Sequence, residues 1–190
     1  MPAAGRTDTW LLLEVLRRAG IDDGRARARL PQAFAAMQDY VDAQLGDLRD
    51  KVLPGVPQVL SDLHAAGQLL GLLTGNLSRV AGAKLRHAGL SGYFDTGGFG
   101  EESDVRSHLV PVALRHASER AGHPVPAARA VVIGDTPLDV EAGKAHGTRT
   151  VGVATGPFDE DQLREAGADL VIPSFADVGR STSLLMALVA

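Results

Sequence analysis

The run Ala130-Val131-Val132-Ile133-Gly134-Asp135-Thr136-Pro137-Leu138-Asp139 constrains this chain more than any other stretch. Its apolar part is too short for a helix, is rich in small and β-branched residues, and closes on a glycine. That composition suits a strand buried on both faces of a parallel sheet. Asp135 then stands at the carboxyl end of the strand, the edge over which open α/β sheets gather their ligands. Thr136 is placed to cap the following helix and Pro137 to open it, so Asp139 falls in the first helical turn on the same rim. Two carboxylates held there suit a hard cation such as Mg²⁺, bound through oxygen and water. The helix dipole alone also favours an aspartate in a first turn, so Asp139 has a purely structural reading as well.

Leu69-Leu70-Gly71-Leu72-Leu73-Thr74-Gly75-Asn76 repeats this logic. Thr74 ends a buried run, and Gly75 lets the backbone approach a ligand closely. The Thr74 hydroxyl, the N–H groups around Gly75 and Asn76 and the start of the next helix together form a candidate phosphate cradle. The alternative is a turn in which Thr74 and Asn76 only cap the helix. Arg106 is expected in the first turn of a helix over 104–120, where the dipole disfavours a cation unless an anion lies nearby. Arg6, just ahead of Thr7-Asp8, is a weaker candidate for a side chain pointing into a shared crevice.

Around these stretches the chain divides at Pro54-Gly55, a turn signal. Before it, apolar residues recur at helical spacing over 8–19 and again from Pro31 through Leu48, giving a helical hairpin with a short polar link. After it, helices over 57–66, 78–88, 104–120, 137–146, 160–166 and 183–189 alternate with strands over 69–73, 94–99, 130–134, 150–153 and 170–172. This alternation implies an α/β fold with a parallel sheet and right-handed crossovers.

Several function classes are excluded. With 19 Lys and Arg against 23 Asp and Glu, the net charge of −4 exerts no general pull on nucleic acid. Cysteine is absent, so neither disulfides nor thiolate metal sites exist. The apolar cluster Leu11 to Leu13 is cut off by Glu14, too soon for a signal peptide or a membrane span, and a cytoplasmic setting is expected. The histidines His64, His87, His108, His116, His123 and His146 show no ligand spacing. Gly143-Lys144 lacks the opening glycine and closing Ser or Thr of a P-loop, and no Gly-x-Ser-x-Gly or Gly-x-Gly-x-x-Gly occurs.

The two strand-end motifs, Leu72-Leu73-Thr74-Gly75-Asn76 and Val132-Ile133-Gly134-Asp135-Thr136-Pro137-Leu138-Asp139, resemble the second and fourth motifs of the haloacid dehalogenase (HAD) superfamily. The nearest branch is that of phosphoglycolate-phosphatase-like hydrolases with a helical cap. Pro54-Gly55-Val56 and Ala168-Asp169-Leu170-Val171-Ile172 match as well, and Gly5-Arg6-Thr7-Asp8 is similar to the start of the cap. The resemblance implies a Rossmann-like core over 53–190 with a small helical cap over 1–52, Mg²⁺ as cofactor, and hydrolysis of a small phosphorylated metabolite through an aspartyl-phosphate. It casts Thr74, with Gly75 and Asn76, as phosphate-binding, Asp135 as metal ligand with Asp139 in support, and Arg106 in place of the usual lysine of the third motif.

One part of the pattern is missing: no strand of this sequence ends in Asp-x-Asp-Gly-Thr, the motif that carries the family's nucleophile. In the family that strand lies between those ending here at Thr74 and Asp135. Its absence implies two rows of unpaired N–H and C=O groups, a gap closed by a longer natural product, by neighbouring segments or by a strand from another chain, and an exposed gap favours pairing. A catalytically inactive binding protein on the same fold is the alternative function.

Overall fold

The computed structural model describes residues 5–189. The first helix, α1 (Asp8–Arg18), is capped by Thr7, whose hydroxyl accepts from the Trp10 N–H. α2 (Asp23–Ala28) follows under an Asp22 cap, then α3 (Leu30–Gln44), with proline in its first turn. α2 was expected as link: it is only six residues long and too brief to show an apolar period.

The α/β part begins with α4 (Val56–Ala65) and continues β1 (Gly71–Leu73), α5 (Ser78–Ala88) and β2 (Thr96–Gly98). Then come α6 (Leu109–Ala121), β3 (Val131–Gly134), α7 (Pro137–Ala145), β4 (Arg149–Val153), α8 (Glu160–Glu165), β5 (Leu170–Ile172) and α9 (Val178–Val189). The helix expected over 104–120 is shorter at its start. Arg106–His108 form a separate 3₁₀ turn, and Val105 ahead of it is 43% exposed rather than part of an apolar face. α9 starts earlier than expected, at Val178.

All strand pairs are parallel, but they fall into two sheets among the described residues: β1 with β2, and β3 with β4 and β5. The main core lies between α4, α9 and the second sheet, where Val59, Leu63, Val151, Val153, Ile172 and Leu185 are buried together. Leu70 and Val131 both pack against this cluster, so one apolar floor runs beneath both sheets.

The split corrects the expectation that β3 is buried on both faces. Its neighbour β4 is buried from Thr150 to Val153, yet Ile133 of β3 is 41% exposed and Leu69, just ahead of β1, is 43% exposed. The apolar composition of β3 is that of an interior strand, but it stands at an edge because nothing in the described chain pairs with its second side. No helix among the described residues is long and apolar enough to cross a membrane.

Candidate active site

α7 is set as its residues dictate. The Thr136 hydroxyl accepts from the Asp139 N–H, the Asp139 carboxylate accepts from the Thr136 N–H at 3.1 Å and from its hydroxyl at 2.8 Å, and Pro137 occupies the first turn. This capping box holds the other Asp139 oxygen outward, where it accepts from Arg106 Nε at 2.8 Å and also from Nη2. The pair is enclosed, with side-chain exposures of 15% for Arg106 and 4% for Asp139. The cation standing against a helical N-terminus thus has its anion, supplied by another helix.

Arg106 also reaches the other sheet, since its Nη2 lies 3.4 Å from the Leu73 carbonyl. One side chain therefore links the carboxyl end of β1 to the first turn of α7. Thr74 and Asp135, each the residue after its strand, stand at the same end of the molecule. Thr74 N–H donates to Gly98, and the Thr74 hydroxyl accepts from the Asn76 N–H at 3.1 Å, which leaves its own proton to donate. Asp135 lies against Gly156: a Cβ on that residue would collide with the Asp135 carboxylate. Among the described residues that carboxylate takes no hydrogen bond or ion pair.

Asn76 is more committed than the sequence suggests. Its side-chain amide donates toward the Asp8 carboxylate and its oxygen accepts from Lys84 Nζ at 2.7 Å, so it braces the loop. The Arg6 guanidinium is stacked on Trp10, 4.9 Å from the ring centroid, while its backbone carbonyl lies so close to Gly75 that any side chain on Gly75 would collide with it.

Residues not singled out beforehand hold this rim together. Asp8, 4% exposed, accepts from the Leu77 N–H at 2.9 Å, while its own N–H donates to the Gly75 carbonyl at 2.7 Å. The Thr9 hydroxyl donates to the Gly100 carbonyl at 2.5 Å, and the Glu101 carboxylate accepts from the Ser78 N–H that opens α5. The only local signal was a Thr-Asp-Thr run at a helix start, which reads as an ordinary cap. Gly143-Lys144 proves structural, Lys144 Nζ donating to the Gly167 carbonyl.

For a metal, the donor set is narrow. Asp135 offers free hard oxygens, whereas both Asp139 oxygens are taken, and no group of three His, Asp or Glu gathers among the described residues. This fits a cation that keeps most of its water and leans on one carboxylate, as Mg²⁺ does. It does not fit a cage of protein ligands.

Comparison with known proteins gives the family and the fold. The model of the haloacid dehalogenase-like hydrolase family matches residues 5–147. The chain is 33% identical over 196 residues to a phosphoglycolate phosphatase of Caulobacter vibrioides, covering 98% of this chain and 79% of that protein. It is 34% identical over 150 residues to a human glycerol-3-phosphate phosphatase, covering 74% of this chain and 44% of that protein. In fold it is similar to a β-phosphoglucomutase of Clostridium difficile, with a TM-score of 0.70 at 15% identity over 97% of this chain and 81% of that one. With a family match across well over half its length and a phosphatase relative over nearly all of it, this chain belongs to the haloacid dehalogenase-like hydrolases.

Proposed function

We propose that this protein acts on small phosphomonoesters in a Mg²⁺-dependent manner, with Thr74, Arg106 and Asp135 as the groups that meet the phosphoryl moiety and its cation. The observation that carries the reading is the Arg106 bridge, because it brings the ends of β1 and α7 to one rim. The Thr74 hydroxyl and the backbone at Gly75 are the natural donors to phosphoryl oxygens. Arg106 spends Nε and Nη2 on Asp139 and Leu73, so Nη1 is the donor left for the ligand, positive where negative charge gathers. Asp135 is the residue that would hold Mg²⁺, which when bound supplies charge neutralisation to the phosphoryl oxygens. Asp139 acts through Arg106 and the capping box, as a positioning residue.

The attacking carboxylate of an aspartyl-phosphate route is assigned to no residue here, since Asp-x-Asp-Gly-Thr does not occur in the sequence. A second reading is a phosphate-binding protein without turnover, favoured by the described rim itself: the Asp8 and Asp139 carboxylates are taken up in hydrogen bonds, and Asp135 is the carboxylate left for the cation. Both are tested by incubating the 190-residue chain with Mg²⁺ and p-nitrophenyl phosphate, and by calorimetric titration with inorganic phosphate. Mg²⁺-dependent turnover abolished in Asp135→Asn supports the hydrolase. Phosphate binding lost in Thr74→Val, without turnover, supports the binding protein. Neither turnover nor phosphate binding overturns the site itself. Substrates as small as those in the relatives' names, phosphoglycolate and glycerol 3-phosphate, head the panel to be assayed.

A further inference from the structure

We infer that Arg27 of α2, which lies outside the proposed site, is a positioning residue for Arg106. Through an ion pair with Asp104 it makes the helical part of the chain hold the turn from which the Arg106 guanidinium is aimed. The contact joins residues 77 apart in sequence, Arg27 Nη2 donating to the Asp104 carboxylate at 2.7 Å, and Asp104 stands two residues ahead of Arg106.

The helical side of this contact is stiff. Ala26 is fully buried and seats α2, while Arg17 near the end of α1 donates to both Asp23 oxygens, at 2.7 and 3.0 Å. The Asp22 cap accepts from the Arg25 N–H and keeps the first turn closed. Arg27 therefore leaves a fixed helix. The receiving side has no such frame of its own. Residues 99–105 contain neither helix nor strand, and the 3₁₀ turn Arg106–His108 has no side-chain cap. Anchors from elsewhere hold this stretch: Thr9 on the Gly100 carbonyl, the Ser78 N–H on Glu101, and Arg27 on Asp104, the last of them before Arg106.

Arg106 is thus fixed at both ends. Its head is bonded to Asp139 and Leu73 through Nε and Nη2, and the backbone leading into it is tied by Asp104. The guanidinium is a rigid plane, so a backbone that shifts turns Nη1 with it. With Arg27 gone, Asp104 would also stand as a bare carboxylate two residues from a cation that serves an anionic ligand. The pair itself is open to water, with side-chain exposures of 51% for Arg27 and 26% for Asp104. A pair of that kind adds little to folding, so its loss is read at Arg106 and not in the melting temperature.

This rests on the proposed function only for what Arg106 does to a phosphoryl group, and the test separates the two. In nitrogen-15 spectra of the intact chain, the Arg106 Nε–H is assigned as the arginine side-chain resonance missing from Arg106→Lys, and its exchange with water is measured. In Arg27→Gln that exchange is expected to quicken about threefold, the scale of an exposed ion pair, while the melting temperature moves by less than about 2 °C. Wild type in about 0.5 M NaCl should shift toward the variant, because salt screens an exposed pair. The charge-swapped protein, Arg27→Asp with Asp104→Arg, is expected to restore the slow exchange. Unchanged exchange in Arg27→Gln overturns the inference, as does a swap that fails to restore it. A fall in melting temperature of more than about 5 °C in Arg27→Gln overturns it too, by making Arg27 a structural residue. Inorganic phosphate titrated calorimetrically should bind Arg27→Gln about threefold more weakly than wild type. If wild type binds no phosphate, the proposed function falls, and the Arg106 exchange rates still decide this inference.

Discussion

Gly156 is a glycine because Asp135 occupies the space its side chain would fill. Gly156→Ala therefore displaces the Asp135 carboxylate and leaves the rest of the rim in place. Mg²⁺ affinity measured by calorimetry is expected to fall about tenfold, a loss of about 1.4 kcal/mol, with little change in the far-ultraviolet spectrum. The Arg106–Asp139 pair behaves differently. Removing one partner of an enclosed ion pair leaves the other buried and unmatched, so Arg106→Met is expected to cost about 3 kcal/mol in urea unfolding. Thr74→Val, by contrast, removes a hydroxyl that supports only the Asn76 N–H. It should cost about 1 kcal/mol of stability while abolishing phosphate binding. The places of Thr74 and Asp135 and the Thr136 cap could be read from the sequence because each follows from its position relative to a strand or helix end, whereas the partner of Arg106 lies 33 residues away. Asp8 and Thr9 could not, because their partners lie 69 and 91 residues away and no local pattern records them.

Among the elements, β4 and β5 are clasped by a side chain. Asp169, just ahead of β5, accepts from the Thr150 N–H at 2.7 Å and from its hydroxyl at 2.9 Å. Desolvation pushes the Asp169 carboxyl up, but the Thr150 hydroxyl and amide, with Lys144 and Arg149 nearby, outweigh it and hold the group below the ordinary carboxylate range. A folded-state value below the unfolded one means that the clasp's contribution is present at pH above about 4 and is lost as pH falls through the depressed folded value. Asp169→Asn should therefore lower the melting temperature at pH 7, and the gap to wild type should close as pH is taken toward 2. The elements themselves were largely legible in the chain, since apolar periodicity and Gly or Pro punctuation mark most of their bounds. α2 escaped for want of length, and the 3₁₀ turn at Arg106 because a tertiary ion pair, not local preference, shapes that segment.

At the level of the whole molecule the sheet is divided among the described residues, and its two parts share a floor but no ladder there. Backbone amides that face the cleft lack the protection of those within β3–β4–β5. In hydrogen exchange the Ile133 amide is expected to exchange at least about tenfold faster than that of Val151. The composition of β3 declares an interior strand, and only its surroundings make it an edge. That is a property of strand order, which residue type alone does not encode.

The staples at Asp8 and Thr9 tie the root of the first helix to the loops at Gly75 and Gly100. Torque applied to the helical arm is thus transmitted straight to the backbone beneath Thr74, with no slack segment to absorb it.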